Sequence, residues 1–111
     1  METLRNLPTS PAALAGLIDY QPGSVVSMSL SRSPDVDLTL FAFDEGESVS
    51  SEYYLGDTMY FVLEGEMPLS REGKTEVLTA GDCVAVPARA EHAIGGRGPF
   101  KLLQLTVHPH Q

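Results

Sequence analysis

Apolar and polar residues alternate along two early stretches of the chain. In residues 25–30 every second residue is apolar, starting with Val26. In residues 36–43 every second residue is apolar, starting with Val36. Successive side chains of a strand point to opposite faces, so a period of two indicates half-buried β-strands. Because a turn sequence separates the two stretches, they are predicted to form an antiparallel pair.

Turn residues divide the rest of the chain into further short strands. Residues 58–63 are apolar on both faces, which is typical of a buried or interface strand. A turn is predicted at residues 64–66, and a hairpin turn at residues 71–74. The other predicted strands are residues 67–70, 75–78, 83–86 and 100–107. Eight or nine short strands with one short helix predict an all-β barrel or jelly roll, because closure of a sheet removes exposed strand edges.

The N-terminal residues have a different pattern. Ser10 and Pro11 are predicted to cap and start a helix of one or two turns in residues 12–18. Residues 1–9 are predicted to form an extended arm with no evident partner in their own chain. The predicted organisation is an arm and helix at 1–24, a barrel at 25–107 and a tail at 108–111.

Composition narrows the range of partners. The 111 residues include seven Lys and Arg against fifteen Asp and Glu, a formal charge of −8. Nucleic acids and anionic membranes attract clustered positive charge, so neither is an expected partner. The single cysteine, Cys83, allows no internal disulfide and favours a reducing, cytoplasmic location. Because its strand is apolar, Cys83 is predicted to be an inert core thiol.

Two sets of residues have an informative spacing. The first set is Gly46, Glu52, Tyr54, Thr58 and Gly65, and five, one, three and six residues lie between its successive members. The second set is Gly81, Pro87 and His92, with five and then four residues between its successive members. Over residues 36–107 this skeleton resembles the two motifs of the cupin superfamily. The resemblance implies a cupin-type β-barrel.

The residues that hold a metal in cupins are mostly changed in this sequence. The first two motif histidines of the family fall on Glu52 and Tyr54, its glutamate falls on Thr58, and its last histidine is kept as His92. Arg89 stands where the second motif has a glycine. One secure imidazole does not make a selective site, so no cofactor is predicted. The alternative is a divalent transition metal bound through Glu52 and His92.

The same positions predict a ligand pocket. Residues two apart on a strand share a face, and the resemblance implies that this face lines the barrel interior. A carboxylate, phenols and an imidazole around an apolar cavity are groups that orient a small molecule. We therefore predict a small-molecule binding or regulatory module of unknown ligand. Its predicted binding residues are Glu52, Tyr54, Thr58, Tyr60 and His92.

Two alternatives stay open. In the first, the protein is an enzyme, either a metal-free isomerase or epimerase with Glu52, Tyr54 and His92 as catalytic residues, or a weakly metal-dependent oxygenase or isomerase. In the second, Glu52 faces solvent and the barrel is filled by Met59, Phe61 and their neighbours.

The resemblance also implies a homodimer, because small cupins commonly pair through sheet faces and exchange an N-terminal arm. The apolar strand at residues 58–63 is compatible with such pairing. His108 and His110 lie in the last four residues, and are predicted to belong to a solvated tail rather than to a metal site.

Overall fold

Antiparallel strands account for most of the structure. A computed structural model describes residues 3–109. Within them the strands are β1 (Val25–Arg32), β2 (Val36–Phe43), β3 (Ser48–Glu52), β4 (Asp57–Arg71), β5 (Lys74–Thr79), β6 (Cys83–Val86), β7 (His92–Gly95) and β8 (Phe100–Val107). They form a curled sheet, so the predicted all-β barrel is confirmed.

The long strand β4 pairs with β5, β6, β7 and β8. Neighbouring strands follow the order β1-β2-β8-β4-β7-β3, and β5 and β6 also pair with β4. The turn predicted at residues 64–66 is wrong, because the chain continues there as a strand whose register shifts between Val62 and Glu64. Gly65 follows this shift with a φ of 76°, and a side chain on it would collide with the Pro99 carbonyl. β4 can therefore bend and pair with different neighbours in its two halves.

Two apolar clusters lie on opposite faces of the sheet. Buried residues of β2 and of every strand from β4 to β8 form one cluster inside the barrel. On the outer face, β1 and β2 form the second cluster with the N-terminal segment. Thr58, Tyr60 and Val62 are buried on the inner face, as the resemblance implied. Met59 and Phe61 alternate to the outer face and are half-buried, so the interpretation in which they fill the barrel is wrong.

The N-terminal segment differs from its prediction in two respects. The predicted helix is a single 3-10 turn, Leu14–Leu17, whose N-cap is Ala13 rather than Ser10. Such a short segment cannot offset the cost of nucleating an α-helix. The arm does have a partner in its own chain, because the Arg5 N–H donates to the Leu30 carbonyl at 2.9 Å. The first two residues of the arm lie outside the described residues.

Two strands and one thiol also differ from the prediction. β3 and β7 pair with each other, although alternation of polar and apolar residues indicates neither strand. Cys83 is exposed rather than buried in the core, because its partner in register is the outward-facing Phe61. Among residues 3–109, none of the helical structure is long and apolar enough to cross a bilayer.

Candidate functional site

The pairing of β3 with β7 brings Glu52 and His92 together. Their Cα atoms are partners in the antiparallel register. Directly opposed residues project from the same face of a sheet, so the two side chains share one wall. His92 is 3% exposed and Glu52 is half-buried. The alternative in which Glu52 simply faces solvent is therefore wrong.

Both ring nitrogens of His92 are engaged in hydrogen bonds. Nδ1 lies 3.0 Å from the Ala90 carbonyl oxygen, which can only accept, so Nδ1 donates. Nε2 lies 2.7 Å from the Tyr60 hydroxyl, and in the neutral ring it accepts the phenol proton. Burial, with Tyr54 and Glu52 nearby, raises the pKa of the Tyr60 phenol far above its ordinary value. The phenol therefore keeps the proton that it donates to His92.

Tyr54 connects this histidine pair to the carboxylate. Its hydroxyl donates to Glu52 Oε1 at 2.5 Å, and its ring centre lies 6.0 Å from that of His92. Burial and the hydrogen bond to Glu52 raise the pKa of Tyr54, although Gln104 and Tyr60 act in the opposite direction on its oxygen. Together Glu52, Tyr54, Tyr60 and His92 form a connected set that we call the barrel network.

Thr58, the remaining predicted binding residue, has a supporting position. Its side chain is 2% exposed, and its hydroxyl lies 3.1 Å from Thr106 Oγ1 on β8. This hydrogen bond joins β4 to β8 within the barrel. Thr58 therefore holds the wall on which the more accessible Thr106 faces the cavity.

A cavity of about 410 Å³ opens at the barrel mouth beside Tyr54. Strands β1, β2 and β8 form its walls together with the loop at residues 54–56. Its other lining residues include Arg32, Asp37, Phe41, Gln104 and His108. Of the barrel network, Tyr54 is the member that lines this cavity. The volume suits a small organic molecule.

The barrel network does not fit the metal centre that the resemblance implies. The lone pair of His92 Nε2 is occupied by the Tyr60 hydroxyl, and the Tyr54 phenol is held protonated beside Glu52. A metal of this class needs deprotonated ligands with free lone pairs. Within residues 3–109, no three side chains of His, Cys, Asp or Glu come together as a group that could hold a metal.

The predicted site lacks most of the residues that line the cavity, among them Asp37, Gln104 and His108. His108 Nε2 lies 3.1 Å from Asp37 Oδ2, and the His108 N–H donates to the Asp35 carbonyl at 2.8 Å. The prediction of a solvated tail is therefore wrong for His108, while His110 lies outside the described residues. Polar residues on the inward face of otherwise apolar strands are the signal that identifies Asp37 and Gln104.

Gly56 fixes the position of the loop that carries Tyr54. Gly56 is buried against the Val107 carbonyl, and a Cβ there would overlap the carbonyl oxygen. On the other side of the loop, the Arg89 N–H donates to the Tyr54 carbonyl at 2.7 Å. Arg89 itself has a φ of 67°, a left-handed conformation at the position where the motif has a glycine. These backbone contacts hold Tyr54 at the edge of the cavity.

The fold and the pocket define a small antiparallel β-barrel domain with a ligand-sized cavity at its mouth. The chain belongs to the cupin family, since the family model described as a cupin domain matches residues 39–108. The match runs from β2 to His108, so it includes the barrel network and most of the cavity wall. Among curated proteins no sequence matches the chain.

Solved structures agree with this assignment. A cupin superfamily protein from Desulfitobacterium hafniense is 44% identical, with a TM-score of 0.92, over 96% of this chain and 98% of that one. A conserved protein of unknown function from Streptococcus pyogenes is 22% identical, with a TM-score of 0.93, over 100% of this chain and 98% of that one. KdgF from a Halomonas species is 21% identical, with a TM-score of 0.71, over 84% of this chain and 87% of that one. The last two show the fold alone.

Proposed function

We propose that this cupin domain is a small-molecule binding or regulatory module that works without the usual metal centre. The observation that carries the proposal is the cavity of about 410 Å³ beside Tyr54. Its wall combines an aromatic ring with charged and amide groups, and sites for small molecules have this mixture of apolar surface and a few oriented polar groups.

The barrel network supports this role by holding Tyr54 in one position. Tyr54 donates to Glu52, and His92 is held from both sides by Ala90 and Tyr60. A hydroxyl already held by a neighbouring carboxylate binds a ligand without losing much conformational entropy. Because these hydrogen bonds already satisfy His92, we propose that it positions its neighbours and does not bind a divalent transition metal.

A ligand screen tests the proposed function. The full chain, labelled with ¹⁵N, is titrated with a library of sugars, sugar acids, hydroxy acids and amino acids, and amide shifts are mapped. We expect a binder to shift residues 54–56 and 104–106. Replacing the cavity-lining amide (Gln104→Leu) should weaken that binder about fivefold or more, because one hydrogen bond is lost. The control Gln21→Leu, at an exposed position, should not change the affinity.

Binding that leaves the mouth residues unperturbed contradicts the proposal, as does a Gln104→Leu variant that binds like the parent. Metal analysis of untagged protein gives a second test. Near-stoichiometric transition metal that disappears in His92→Ala would overturn the metal-free proposal.

A second candidate function is proton transfer on the bound molecule. Its support is the short hydrogen bond between Tyr54 and Glu52 at the cavity edge, since a phenol backed by a carboxylate can give and take a proton. In this proposal Glu52, Tyr54 and His92 serve a metal-free isomerase or epimerase. Solvent-deuterium incorporation into a bound ligand, followed by NMR, tests it. Tyr54→Phe should abolish the exchange and Tyr20→Phe should not; equal exchange in both variants contradicts it.

We also propose that the chain forms a homodimer. Its support is the outer face near β6, where Met59, Phe61 and Leu105 are only half-buried and Ala85 is exposed. A second copy would remove this apolar surface from water. Light scattering should give twice the monomer mass of 12.0 kDa, and Phe61→Glu should shift the mass to the monomer. A parent mass near 12.0 kDa contradicts the proposal.

A cytoplasmic location remains a proposal that rests on the single, exposed Cys83. Fractionation of cells that produce the untagged chain, with antibody detection, tests it. We expect the chain in the cytoplasmic fraction, and recovery from the extracellular or periplasmic fraction contradicts the expectation.

A further inference from the structure

The wall of the cavity changes from charged to apolar along the inner face of the sheet. At one level Asp37 has Arg32 as its register partner on β1 and Thr106 as its partner on β8. Four residues further along β2, Phe41 lines the same cavity. Because a strand rises about 3.3 Å per residue, the two levels lie about 13 Å apart along the wall. The cavity therefore has a charged end and an apolar end.

The accessible charge at the first end is mainly positive. In the part of the chain that the structure describes, the charged side chains lining the cavity are those of Arg32, Asp37 and His108. The Arg32 side chain is 76% exposed, against 34% for Asp37. Asp37 Oδ1 is buried, and Oδ2 lies 3.1 Å from His108 Nε2. One carboxylate oxygen is thus inaccessible and the other is engaged, so an entering molecule meets the Arg32 guanidinium first.

A carboxylate is the ligand group that fits this end. The Arg32 guanidinium presents N–H donors in a fork that matches the two oxygens of a carboxylate. His108, on the other side of Asp37, is a second basic group. A carboxylate brings one negative charge, whereas a phosphate brings nearly two and is repelled more strongly by Asp37. The net charge of −8 has little effect on this contact, because physiological salt screens exposed charges beyond about 8 Å.

The second end and the rim of the cavity favour an apolar body. The half-buried Phe41 packs against the inner core cluster, where its ring centre lies 6.2 Å from that of Phe43. On the loop that carries Tyr54, Leu55 lines the cavity and is 60% exposed. An apolar group placed between Phe41 and Leu55 removes the surface of both from water, which favours binding.

We propose that the cavity binds a small organic acid with one carboxylate at one end and an apolar body at the other. The carboxylate binds Arg32, and the body lies against Phe41 and Leu55. Between these ends, Thr39 and its β8 partner Gln104 offer hydrogen bonds to an oxygen on the linking atoms. This inference rests on the proposed binding function and names the class of its ligand.

Titration of the ¹⁵N-labelled full chain tests the ligand class. The probes are 3-phenylpropanoate, 4-phenylbutanoate and 4-methylpentanoate, each with its primary amide as a neutral counterpart of nearly the same shape, and inorganic phosphate. We expect at least one acid to shift residues 32, 41 and 54–56 and to bind about tenfold more tightly than its amide. An amide that binds as tightly as its acid, phosphate that binds more tightly than every acid, or no binding of any acid at millimolar concentration overturns the inference.

Arg32→Gln separates the guanidinium from the overall charge of the chain. The matched control is Arg97→Gln, which changes the net charge equally at an exposed position just before β8, whereas the cavity lies at the end of β8. Arg32→Gln should weaken the acid about tenfold and leave the affinity of its amide unchanged. Arg97→Gln should change neither affinity. Equal weakening of the acid in both variants overturns the inference.

Leu55→Ser tests the apolar body, with Leu4→Ser in the N-terminal arm as control, since Leu4 is also exposed. Leu55→Ser should weaken the acid and its amide alike, by about fivefold, because both carry the same body. Leu4→Ser should leave both affinities unchanged. An acid that binds Leu55→Ser as tightly as the parent overturns the inference.

The two proposals fail in different ways. If compounds of another class shift residues 54–56 and are insensitive to Arg32→Gln, the binding function stands and the organic acid is the wrong ligand class. If no compound of either set shifts any residue of the barrel mouth, both proposals are wrong.

Discussion

Two tyrosine–glutamate pairs of nearly identical geometry lie on opposite faces of the sheet. Inside the barrel, the Tyr54 hydroxyl donates to Glu52 at 2.5 Å. On the outer face, the Tyr20 hydroxyl donates to Glu64 at 2.6 Å. Burial, followed by the neighbouring carboxylate, raises the phenol pKa in both pairs. The chemistry of the pair therefore does not distinguish a binding site from a structural contact.

The surroundings distinguish the two pairs. The outer pair is completed by the buried Lys101, whose Nζ lies 2.7 Å from the Ala15 carbonyl, 3.8 Å from Glu64 and 5.0 Å from the centre of the Tyr20 ring. This cation attaches the N-terminal segment to β8. The inner pair lies instead beside the His92 ring, whose centre is 6.0 Å from that of Tyr54, and Tyr54 borders the cavity. We infer that the pair completed by Lys101 is structural, and that the pair beside the cavity is the one that serves the proposed binding function.

The largest expected effect acts on both pairs at once and comes from alkaline pH. Because Tyr20, Tyr54 and Tyr60 have folded-state pKa values above the ordinary value of 10, the folded chain keeps protons that the unfolded chain loses. Stability should be fully present below about pH 10 and fall as the pH rises further. Urea unfolding followed by circular dichroism measures this. Tyr20→Phe and Tyr54→Phe should each make the decline shallower, and an unchanged slope in both contradicts the explanation.

The next largest expected effect is a loss of folding stability when the loop beside the inner pair is changed. Gly56→Ala should lower the free energy of unfolding by about 3 kcal/mol, because a Cβ would overlap the Val107 carbonyl. Gly16→Ala, in the N-terminal segment that carries Tyr20, is the control, since its Cβ would meet nothing within 4 Å. Urea unfolding should place this control within about 0.5 kcal/mol of the parent. Equal losses in the two variants would contradict the role of Gly56.

Removal of the outer cation should have a somewhat smaller effect. Lys101→Met keeps the packing of the side-chain stem but leaves the Ala15 carbonyl and Glu64 without the ammonium, so we expect a loss of about 2 kcal/mol. The control Lys74→Met, at an exposed position, should change stability by less than about 0.5 kcal/mol. Ligand affinity should be unchanged in both variants, and a weakened ligand in Lys101→Met would contradict the division into structural and binding pairs.

Removing the tyrosine hydroxyl from each pair allows the two pairs to be compared directly. Tyr54→Phe and Tyr20→Phe should each lower stability by about 1 kcal/mol, because each loses one hydrogen bond to a carboxylate. Calorimetric titration with a ligand from the screen should show weaker binding only for Tyr54→Phe. If Tyr20→Phe weakens binding equally, the two pairs do not differ as proposed.

The smallest expected change is a gain in folding stability rather than a loss. Arg89→Gly should raise stability by about 0.5 kcal/mol, because glycine adopts a φ of 67° without strain and the hydrogen bond to Tyr54 is kept. Ala88→Gly next to it should lower stability by a similar amount through the greater freedom of the unfolded chain. Thermal unfolding of both variants measures the difference, and a destabilised Arg89→Gly would show that its side chain has a further role.

The strands with clear alternation could be predicted from the sequence, whereas β3 and β7 could not. In β1 and β2 the side chains themselves carry the period of two, so local sequence is sufficient. Residues 48–52 are almost entirely polar, and they become a strand only because β7 supplies backbone partners from about forty residues further along the chain. The same long-range pairing places Glu52 opposite His92.

Composition and periodicity predict an acidic all-β chain in which Thr58, Tyr60 and Val62 share one face, because both are local properties of the chain. The cupin barrel, the inward direction of that face and the loss of most metal-ligand residue types were implied by the resemblance of the motif spacing to cupins. The packing of the barrel establishes that His92 is satisfied by Tyr60, that His108 joins Asp37, and that Lys101 is buried. Each depends on residues far apart in sequence meeting across the sheet, and the resulting balance of cavity, charge and hydrogen bonds is a property of the packed barrel.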